Sequence, residues 1–376
     1  MSTYPWGGSE ELWSRAALRL HEGSHKVAAS VEFWPELSTQ VTDLTERGIR
    51  VCLRRRVPPR LPLRVWRRIV RRKPSDQEWL QRQNPDLVII SQGGNSDGLP
   101  WMKFCLKARL PFVAIVQSNS EYWWWGDSGA ELAEAYRAAR KVFCVSKHNL
   151  DLLERQVGEP LPNGVIVLNP YNVSRDQVPA WPSQSDVWKL ACVGRLDAGS
   201  KGQDLLFDVM ARSQWQSRAV EVNLYGTGHS KHTLRKLVER LRLNNVHFRG
   251  HTSNVKAIWE QNHLLVLPSR LEGLPLALVE AMFCGRPAVV TDVGGNVEFC
   301  VDGETGFVAA APAVPLLEQT LERAWNNRDE WQRMGIAART RAERLIPNDP
   351  IADFCSEILK CTSLRSNSRQ GALAVE

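Results

Sequence analysis

The sequence LLVLPSRLEGLPLALVEAMFCGRPAVVTDVGGNVEFCVDGETGFV, residues 264–308, decides the fold class of this chain. It opens with an apolar run at 264–267, passes through a loop and an apolar helix that ends near Gly285, and returns to an apolar run at 288–291. A strand, a loop, a helix and a second strand in this order form a parallel crossover unit. Open α/β sheets bind their ligands at the loops that follow such strands. The stretch therefore predicts an α/β fold with a ligand site in this region.

Two carboxylates lie within the predicted site. Glu272 is in the loop, and Glu280, eight residues later, is one turn inside the helix. This spacing lets both side chains face the space above the sheet edge without touching each other. We expect the segment to hold a polar ligand.

Length and composition indicate a globular protein with two domains. The chain has 376 residues, of which 43% are hydrophobic and 24% are charged. No apolar run approaches the roughly 20 residues of a membrane-spanning helix, and the first residues do not resemble a signal peptide, so we predict a cytoplasmic protein. The eight cysteines are scattered without a Cys-x-x-Cys pair, which favours small core residues over a metal or redox site.

The α/β pattern occurs twice along the chain. Continuous apolar runs suited to buried parallel strands occur at 85–90, 111–116 and 142–145, and again at 190–193, 222–225, 246–248, 264–267 and 288–291. Between the two sets lies a polar stretch with several Pro and Ser residues. We therefore predict a first domain at 1–170, a linker at 171–186, a second domain at 187–347, a carboxy-terminal helix at 348–361 and a disordered polar tail at 362–376.

Two cations precede the predicted carboxylate loop in the second domain. Arg195 follows a strand and a glycine, and Lys201 is placed by the sequence at the opening of the next helix, where free amide groups favour an anion. The loop amides of Gly273 and Leu274 can donate to the same anion, and an ionised Glu280 can accept two ribose hydroxyls. Together these groups predict binding of a nucleoside diphosphate that carries a further group.

At this point the motifs resemble the carboxy-terminal domain of glycosyltransferase family 4. The spaced pair Glu272 and Glu280 is that family's signature. The other matches, in chain order, are GRL at 194–196, KGQDL at 201–205, PS at 268–269, EGLPL at 272–276, EAM at 280–282, GRP at 285–287, DVGG at 292–295 and DGETGF at 302–307. The first domain resembles the family more weakly, through GGSE at 7–10, HKV at 25–27 and NP at 169–170.

The resemblance implies a GT-B architecture, in which two Rossmann-like doubly wound domains face each other across a cleft. It also implies transfer of a sugar from a sugar nucleotide with retention of configuration, without a cofactor or an essential metal, and the chain contains no Asp-x-Asp motif. Arg195 and Lys201 would stabilise the leaving diphosphate, Glu272 would contact the donor sugar, and Glu280 would bind the ribose. Gly8 would let the first domain's backbone approach the phosphates.

Two departures from the family pattern affect the first domain. Only six residues precede Gly7, which leaves no room for the apolar central strand that usually comes before the glycine loop. We therefore expect either that the start is incomplete or that this domain is unstable. The second departure is Gln117, at a position near the acceptor where many relatives have a histidine. A glutamine there is expected to form hydrogen bonds and cannot act as an acid or base at neutral pH.

Residues 50–73 carry a formal charge of +11, and the remainder of the chain carries −4. Leu63, Trp66 and Val70 form an apolar line at helical spacing among the arginines, which fits a helix that binds an anionic membrane surface. On this interpretation the protein works at the inner face of a membrane, where a lipid-linked acceptor would be found. A solvated basic loop interrupted by prolines is the alternative.

Two other features have simpler interpretations. The run YWWW at 122–125 is expected to form a packed interdomain cluster, with a stacking platform for a sugar as the alternative. His229 and His232 are expected at the surface, because no third metal ligand is evident near them.

The sequence predicts a retaining glycosyltransferase that uses a glycan or a lipid-linked acceptor. Two rivals remain, namely a sugar-nucleotide epimerase on the same scaffold and a catalytically silent sugar-nucleotide-binding protein. A nucleic-acid role for residues 50–73 is weaker, because no recognised motif accompanies the arginines. The donor base, the sugar and the acceptor stay open.

Overall fold

The computed structural model describes residues 6–34, 38–54, 75–183 and 186–370. In the first domain the strands are β1 (Ala28–Glu32), β2 (Arg50–Arg54), β3 (Val88–Gln92), β4 (Phe112–Val116), β5 (Val142–Cys144) and β6 (Gly164–Ile166). The helices described there are α1 (Gly8–Glu22), α2 (Thr39–Glu46), α3 (Asp76–Gln83), α4 (Leu99–Ala108), α5 (Gly129–Ala138) and α6 (Lys147–Val157). Of residues 50–73, only 50–54 are described, so the predicted basic helix lies outside the described residues.

The described strands of the first domain form two separate parallel sheets. One has the order β1-β2 and the other the order β3-β4-β5-β6. A cavity of about 620 Å³ lies between them, and consecutive residues of both β1 and β3 line it. Within the described ranges, β1 pairs only with β2, and β3 pairs only with β4. The cavity lies where a central strand would join the two sheets, and the absence of such a strand stays a prediction.

The second domain contains one six-stranded parallel sheet. Its strands are β7 (Trp188–Val193), β8 (Val220–Tyr225), β9 (Val246–Gly250), β10 (Leu264–Leu267), β11 (Ala288–Thr291) and β12 (Gly306–Ala309), in the order β12-β11-β10-β7-β8-β9. Its helices are α7 (Ala198–Lys201), α8 (Gln203–Met210), α9 (Ser213–Gln216), α10 (Lys231–Arg240), α11 (Val255–Gln261), α12 (Leu276–Phe283), α13 (Asn296–Phe299), α14 (Val314–Asn326) and α15 (Trp331–Leu345).

The strand order of this sheet reverses between β7 and β10. The chain leaves β7 toward β8 on one side and returns to β10 on the other, so the loops after these two strands diverge. This is the topological switch point, where open α/β sheets form their ligand crevice. All residues of β10 and β11 are buried, which explains why the sequence shows them as continuous apolar runs.

The chain crosses between the domains twice. After the second domain, α16 (Pro350–Gln370) returns to the first, where Phe354 packs edge-on against Phe143 of β5 with ring centroids 5.1 Å apart. Arg19 of α1 forms an ion pair of 2.5 Å with Asp349 just before this helix. Residues 362–370 are helical and not part of a disordered tail, because no proline or glycine follows Pro350 until residue 371.

The two crossing segments contact each other through Arg175. Its guanidinium donates to the carbonyl oxygens of Ile346 and Pro347, the latter at 2.7 Å, and to Asn348 Oδ1 at 2.5 Å. The Tyr171 hydroxyl adds a bond of 3.3 Å to the Asn348 carbonyl. The outgoing and returning segments are thus fastened side by side.

Several local expectations are confirmed and others are corrected. Seven of the eight cysteines are buried, as expected for core residues. Helix α1 begins at Gly8, and the Ser9 hydroxyl in its first turn donates to Glu10 Oε2 at 2.7 Å. The interdomain-cluster prediction is wrong for Tyr122 and Trp124, which are 90% and 58% exposed. No described helix is both long enough and apolar enough to span a bilayer.

Candidate functional site

Lys201 and Glu272 meet at the switch point of the second sheet. Lys201 Nζ lies 2.6 Å from Glu272 Oε1, and the Ser269 hydroxyl donates to the same oxygen at 2.7 Å. The Glu272 side chain is 4% exposed and that of Lys201 is 23% exposed. A buried carboxylate thus holds a partly accessible ammonium at the switch point of the sheet.

The helix position predicted for Lys201 is corrected. Lys201 is the last residue of the short helix α7, and Gly202, at a φ of +63°, separates it from α8. A Cβ atom on Gly202 would lie 1.9 Å from the Pro268 carbonyl oxygen at the end of β10. Glycine is therefore required for this turn to approach β10 and bring Lys201 to Glu272.

Arg195 faces the first domain. Its backbone carbonyl accepts a bond of 2.7 Å from Gln203, which ties the loop after β7 to α8. A Cβ atom on Gly7 would lie 3.3 Å from Arg195 Nη2 and 3.4 Å from Glu10 Oε2. The guanidinium and the Glu10 carboxylate therefore approach the same glycine from two domains. Burial raises the pKa of Glu10, and its bond from Ser9 and the charge of Arg195 oppose that rise.

Gly8 contacts the start of the helix that carries Glu280. A Cβ atom on Gly8 would lie 3.3 Å from the Leu276 side chain, and Leu276 is the first residue of α12. The amino end of α1 therefore lies against the amino end of α12. This places the glycine loop of the first domain beside the predicted phosphate-binding loop.

The loop before α12 follows β10, one of the two strands at the switch point. Within the described residues, neither the Gly273 nor the Leu274 amide has a hydrogen-bond acceptor. The Leu274 side chain is buried, so only its backbone is suited to the predicted role. Free amides at the start of an eight-residue helix favour an anion.

Gln117 lies against this loop from the opposite domain. A Cβ atom on Gly273 would lie 2.0 Å from the Gln117 carbonyl oxygen. Asn169 Nδ2 donates to Gln117 Oε1 at 3.0 Å. Gln117 Nε2 and Asn169 Oδ1 are buried, and neither has a partner among the described residues. The pair thus offers one donor and one acceptor, which matches a hydroxyl group.

Glu280 is buried inside α12 and bound by the interdomain segment. Its Oε1 accepts from the Asn172 amide at 3.1 Å and from Asn172 Nδ2 at 3.0 Å. Burial raises the pKa of Glu280 to about 7, and the two Asn172 bonds and the charge of Arg15 act in the opposite direction. Glu272 and Glu280 have separate hydrogen-bond partners, Lys201 and Ser269 for the former and Asn172 for the latter.

Sequence reasoning did not identify Asn172, Glu10, Asn169 or Ser269 as site residues. Ser269 could have been found, because it lies three residues before Glu272 in the same loop. In the described part of the chain, no three His, Cys, Asp or Glu side chains gather in a way that could hold a metal ion.

Several known proteins resemble this chain in sequence. The curated relatives include a glycosyltransferase, MJ1178, from Methanocaldococcus jannaschii, which is 27% identical over 52% of this chain and 52% of its own length. They also include the Vi polysaccharide biosynthesis protein VipC/TviE from Salmonella typhi, which is 27% identical over 57% of this chain and 39% of its own length. These matches span about half or less of the relatives' length.

Solved structures match over nearly the whole chain. Anabaena Alr3699/HepE in complex with UDP has a TM-score of 0.71 at 19% identity, with 96% of this chain and 98% of that chain covered. Sucrose-phosphate synthase from Thermosynechococcus elongatus has a TM-score of 0.69 at 17% identity, with 92% and 91% covered. At these identities the likeness shows a shared fold, which is GT-B.

Two family models cover the two domains in turn. The model for Glycosyltransferase Family 4 matches residues 6–175, and the model for Glycosyl transferases group 1 matches residues 174–341. Their boundary falls in the predicted linker. The chain therefore belongs to glycosyltransferase family 4.

Proposed function

We propose that this chain is a glycosyltransferase that moves a sugar from a nucleoside diphosphate sugar to a glycan or lipid-linked acceptor. The observation that carries the proposal is the meeting of Lys201 and Glu272 at the switch point, beside the free amides of Gly273 and Leu274. Such a site offers a cation and backbone donors to a diphosphate. A UDP complex of Alr3699/HepE, which has the same fold, supports a nucleotide donor.

In this proposal the second domain stabilises the leaving group. The bond between the anomeric carbon and the diphosphate oxygen breaks, and negative charge grows on that oxygen. A bond forms between the anomeric carbon and the acceptor hydroxyl oxygen, and the hydroxyl proton passes to the departing diphosphate. Lys201 and Arg195 are the cations that would stabilise this negative charge. Such stabilisation typically lowers the activation barrier by several kcal/mol. Glu272 already holds the Lys201 ammonium at 2.6 Å, so we assign it the positioning of Lys201 as well as the predicted contact with the donor sugar.

The remaining groups are assigned to the ends of the donor and to the acceptor. Glu280 would accept the ribose hydroxyls, and Gly8 would allow the first domain to approach the phosphates. Gln117 and Asn169 would hold a hydroxyl of the sugar or the acceptor, because their unpaired donor and acceptor atoms are both buried. Retention of configuration and independence from metal are proposed from family membership.

The experiment that tests the proposal measures release of nucleoside diphosphate. The protein is incubated with uridine, guanosine and adenosine diphosphate sugars in EDTA, with and without a mixture of glycan and lipid-linked acceptors. We expect release from one donor class that depends on an acceptor, with the anomeric configuration retained in the NMR spectrum of the product. Conversion of the sugar nucleotide without acceptor would show an epimerase instead, and binding without turnover would show a silent binding protein.

Contact with an anionic membrane through residues 50–73 remains part of the proposal. Binding to the surface at low ionic strength is expected from the charge of this stretch. The test is sedimentation with vesicles that contain phosphatidylglycerol, with pure phosphatidylcholine vesicles as the control. Equal recovery in both pellets would contradict the membrane role.

A further inference from the structure

The hydrogen-bond partner of Glu280 lies in the segment between the two domains. Asn172, in the segment that leads from the first domain to the second, donates both its backbone amide and its side-chain amide to Glu280 Oε1. No described residue donates to Oε2. Asn172 thus satisfies one carboxylate oxygen and leaves the other as an acceptor.

Asn172 is in turn bound by helix α1. Arg15 Nη2 donates to Asn172 Oδ1. The Arg15 guanidinium also forms an ion pair of 2.8 Å with Glu11 Oε2, and Glu11 Oε1 accepts from Trp6 Nε1 at 3.0 Å. The Arg15 side chain is 38% exposed and that of Glu11 is 17% exposed. A continuous chain of polar contacts therefore runs from the amino end of the first domain to the buried carboxylate of the second.

We infer that Asn172 is a positioning residue for the ribose site. It orients the Glu280 carboxylate, and through Arg15 it couples this orientation to the position of α1. The inference rests on the proposed function, because it assumes that Glu280 binds the ribose of a nucleoside diphosphate. Two bonds to one oxygen fix the rotamer of the carboxylate, so that Oε2 is presented in a single direction. A carboxylate that is already ordered binds a ribose hydroxyl without a further loss of side-chain entropy.

The electrostatic surroundings of Glu280 support the same role. Burial favours the neutral acid, whereas the bonds from Asn172 favour the carboxylate, which is the form that accepts from hydroxyl groups. The charged groups of α1 that act on Glu280 are Arg15, which favours ionisation, and Glu11, which opposes it. Loss of the Asn172 side chain removes one of the two bonds, so it should leave the Glu280 carboxylate less fixed and more protonated at neutral pH.

The test compares ligands that have or lack the ribose hydroxyl. Uridine, guanosine and adenosine diphosphates, their 2′-deoxy counterparts and inorganic pyrophosphate are titrated calorimetrically into the full chain and into Asn172→Ala. For the nucleotide that binds, we expect the substitution to weaken the ribose form about tenfold, as for the loss of a bond to a charged group. The 2′-deoxy form should be weakened less, and pyrophosphate should bind unchanged.

Further variants separate positioning from folding. Asn172→Ala in a Glu280→Gln background should cause no additional loss of nucleotide affinity, because both substitutions act through the Glu280 carboxylate. Asn172→Asp should bind the nucleotide better as pH falls, since it places a second carboxylate against Glu280. Arg15→Ala, a change at a half-exposed side chain, should give a smaller loss with the same ligand pattern. Asn327→Ala, an exposed asparagine in the second domain, is the matched control.

The outcomes separate the inference from the proposed function. If the unmodified chain binds none of the nucleoside diphosphates, the proposed function fails. If it binds one, and Asn172→Ala and Arg15→Ala bind the ribose and 2′-deoxy forms as tightly as the unmodified chain, the positioning role is overturned. Equal weakening of the nucleotide and of pyrophosphate would also overturn it, because a general structural change would affect both.

Discussion

The Lys201 ammonium lies 2.6 Å from the Glu272 carboxylate, although the two residues follow different strands and are separated by 71 positions. Lys201 is the side chain at the switch point that we expect to stabilise a departing diphosphate. We predict that Lys201→Ala lowers kcat/KM by about a hundredfold to a thousandfold, the usual cost of losing a transition-state donor. Steady-state assays of nucleoside diphosphate release measure this change.

Lys201→Arg and Lys256→Ala serve as controls for this prediction. The arginine keeps the charge, and Lys256 has a side chain that is 43% exposed and lies 3.8 Å from the Glu260 carboxylate. Near-normal activity is expected for Lys256→Ala and intermediate activity for Lys201→Arg. Full activity of Lys201→Ala with the natural donor would remove Lys201 from the catalytic groups.

Burial of Glu280 makes the stability of the protein depend on pH. The pKa of this carboxyl rises from an ordinary 4.5 to about 7 in the folded chain. The free energy of unfolding is therefore highest below pH 4.5 and falls as the pH rises toward 7, because in that window Glu280 ionises only in the unfolded state. The loss amounts to about 3 kcal/mol for a shift of this size. Glu280→Gln should abolish this component in urea titrations at pH 5 and pH 8.

Ligand binding should lower the pKa of Glu280, which burial raises. Ribose hydroxyls donate to the ionised form, so binding of a nucleoside diphosphate at pH 7 should release a fraction of a proton. Calorimetry in two buffers with different ionisation enthalpies measures this release. Identical observed enthalpies in the two buffers would contradict the assignment of Glu280 to the ribose.

Gly273 is expected to tolerate no side chain. A Cβ atom there would lie 2.0 Å from the Gln117 carbonyl oxygen, which belongs to the other domain. Gly273→Ala must therefore push the domains apart or distort the loop, and we predict at least about a tenfold loss in kcat/KM. Gly129→Ala, at the start of α5, has no atom within 4 Å of the added carbon and is the control. An equal response of both variants would contradict the steric argument.

The edges of β1 and β3 that face the cavity are predicted to be weakly protected. Each of these strands pairs on one side within the described ranges, whereas β4 pairs with both β3 and β5 and is fully buried. In hydrogen exchange, we expect amides of 28–32 to exchange at least about tenfold faster than those of 112–116. Equal protection of the two segments would contradict this prediction.

The sequence predicted the second domain better than the first, for local reasons. Strand β11 coincides with the apolar run 288–291, because a strand buried on both faces needs an uninterrupted apolar segment. The meeting of Lys201 and Glu272 was also predictable, since both follow strands of one sheet. The bond between Asn172 and Glu280 was not, because it joins residues 108 positions apart and depends on how the domains sit together.

Exposure was the other property that the sequence did not reveal. Tyr122 and Trp124 were expected to be packed, since large aromatic side chains usually are. The structure buries neither, although Trp124 Nε1 is fixed by a bond of 2.7 Å to the Glu121 carbonyl. A short apolar run does not say which of its members face solvent when the segment is a loop.

The contacts of Arg175 also determine how the two domains can move. The Arg175 guanidinium binds the Tyr171 hydroxyl in the outgoing segment and two carbonyls in the returning segment, so we expect the two crossings to move together as a single hinge. We expect the domains to rotate about this hinge while the bonds persist, because sliding past each other would break several of them. Opening and closing of the cleft should thus be a rotation, with the crossing segments as its axis.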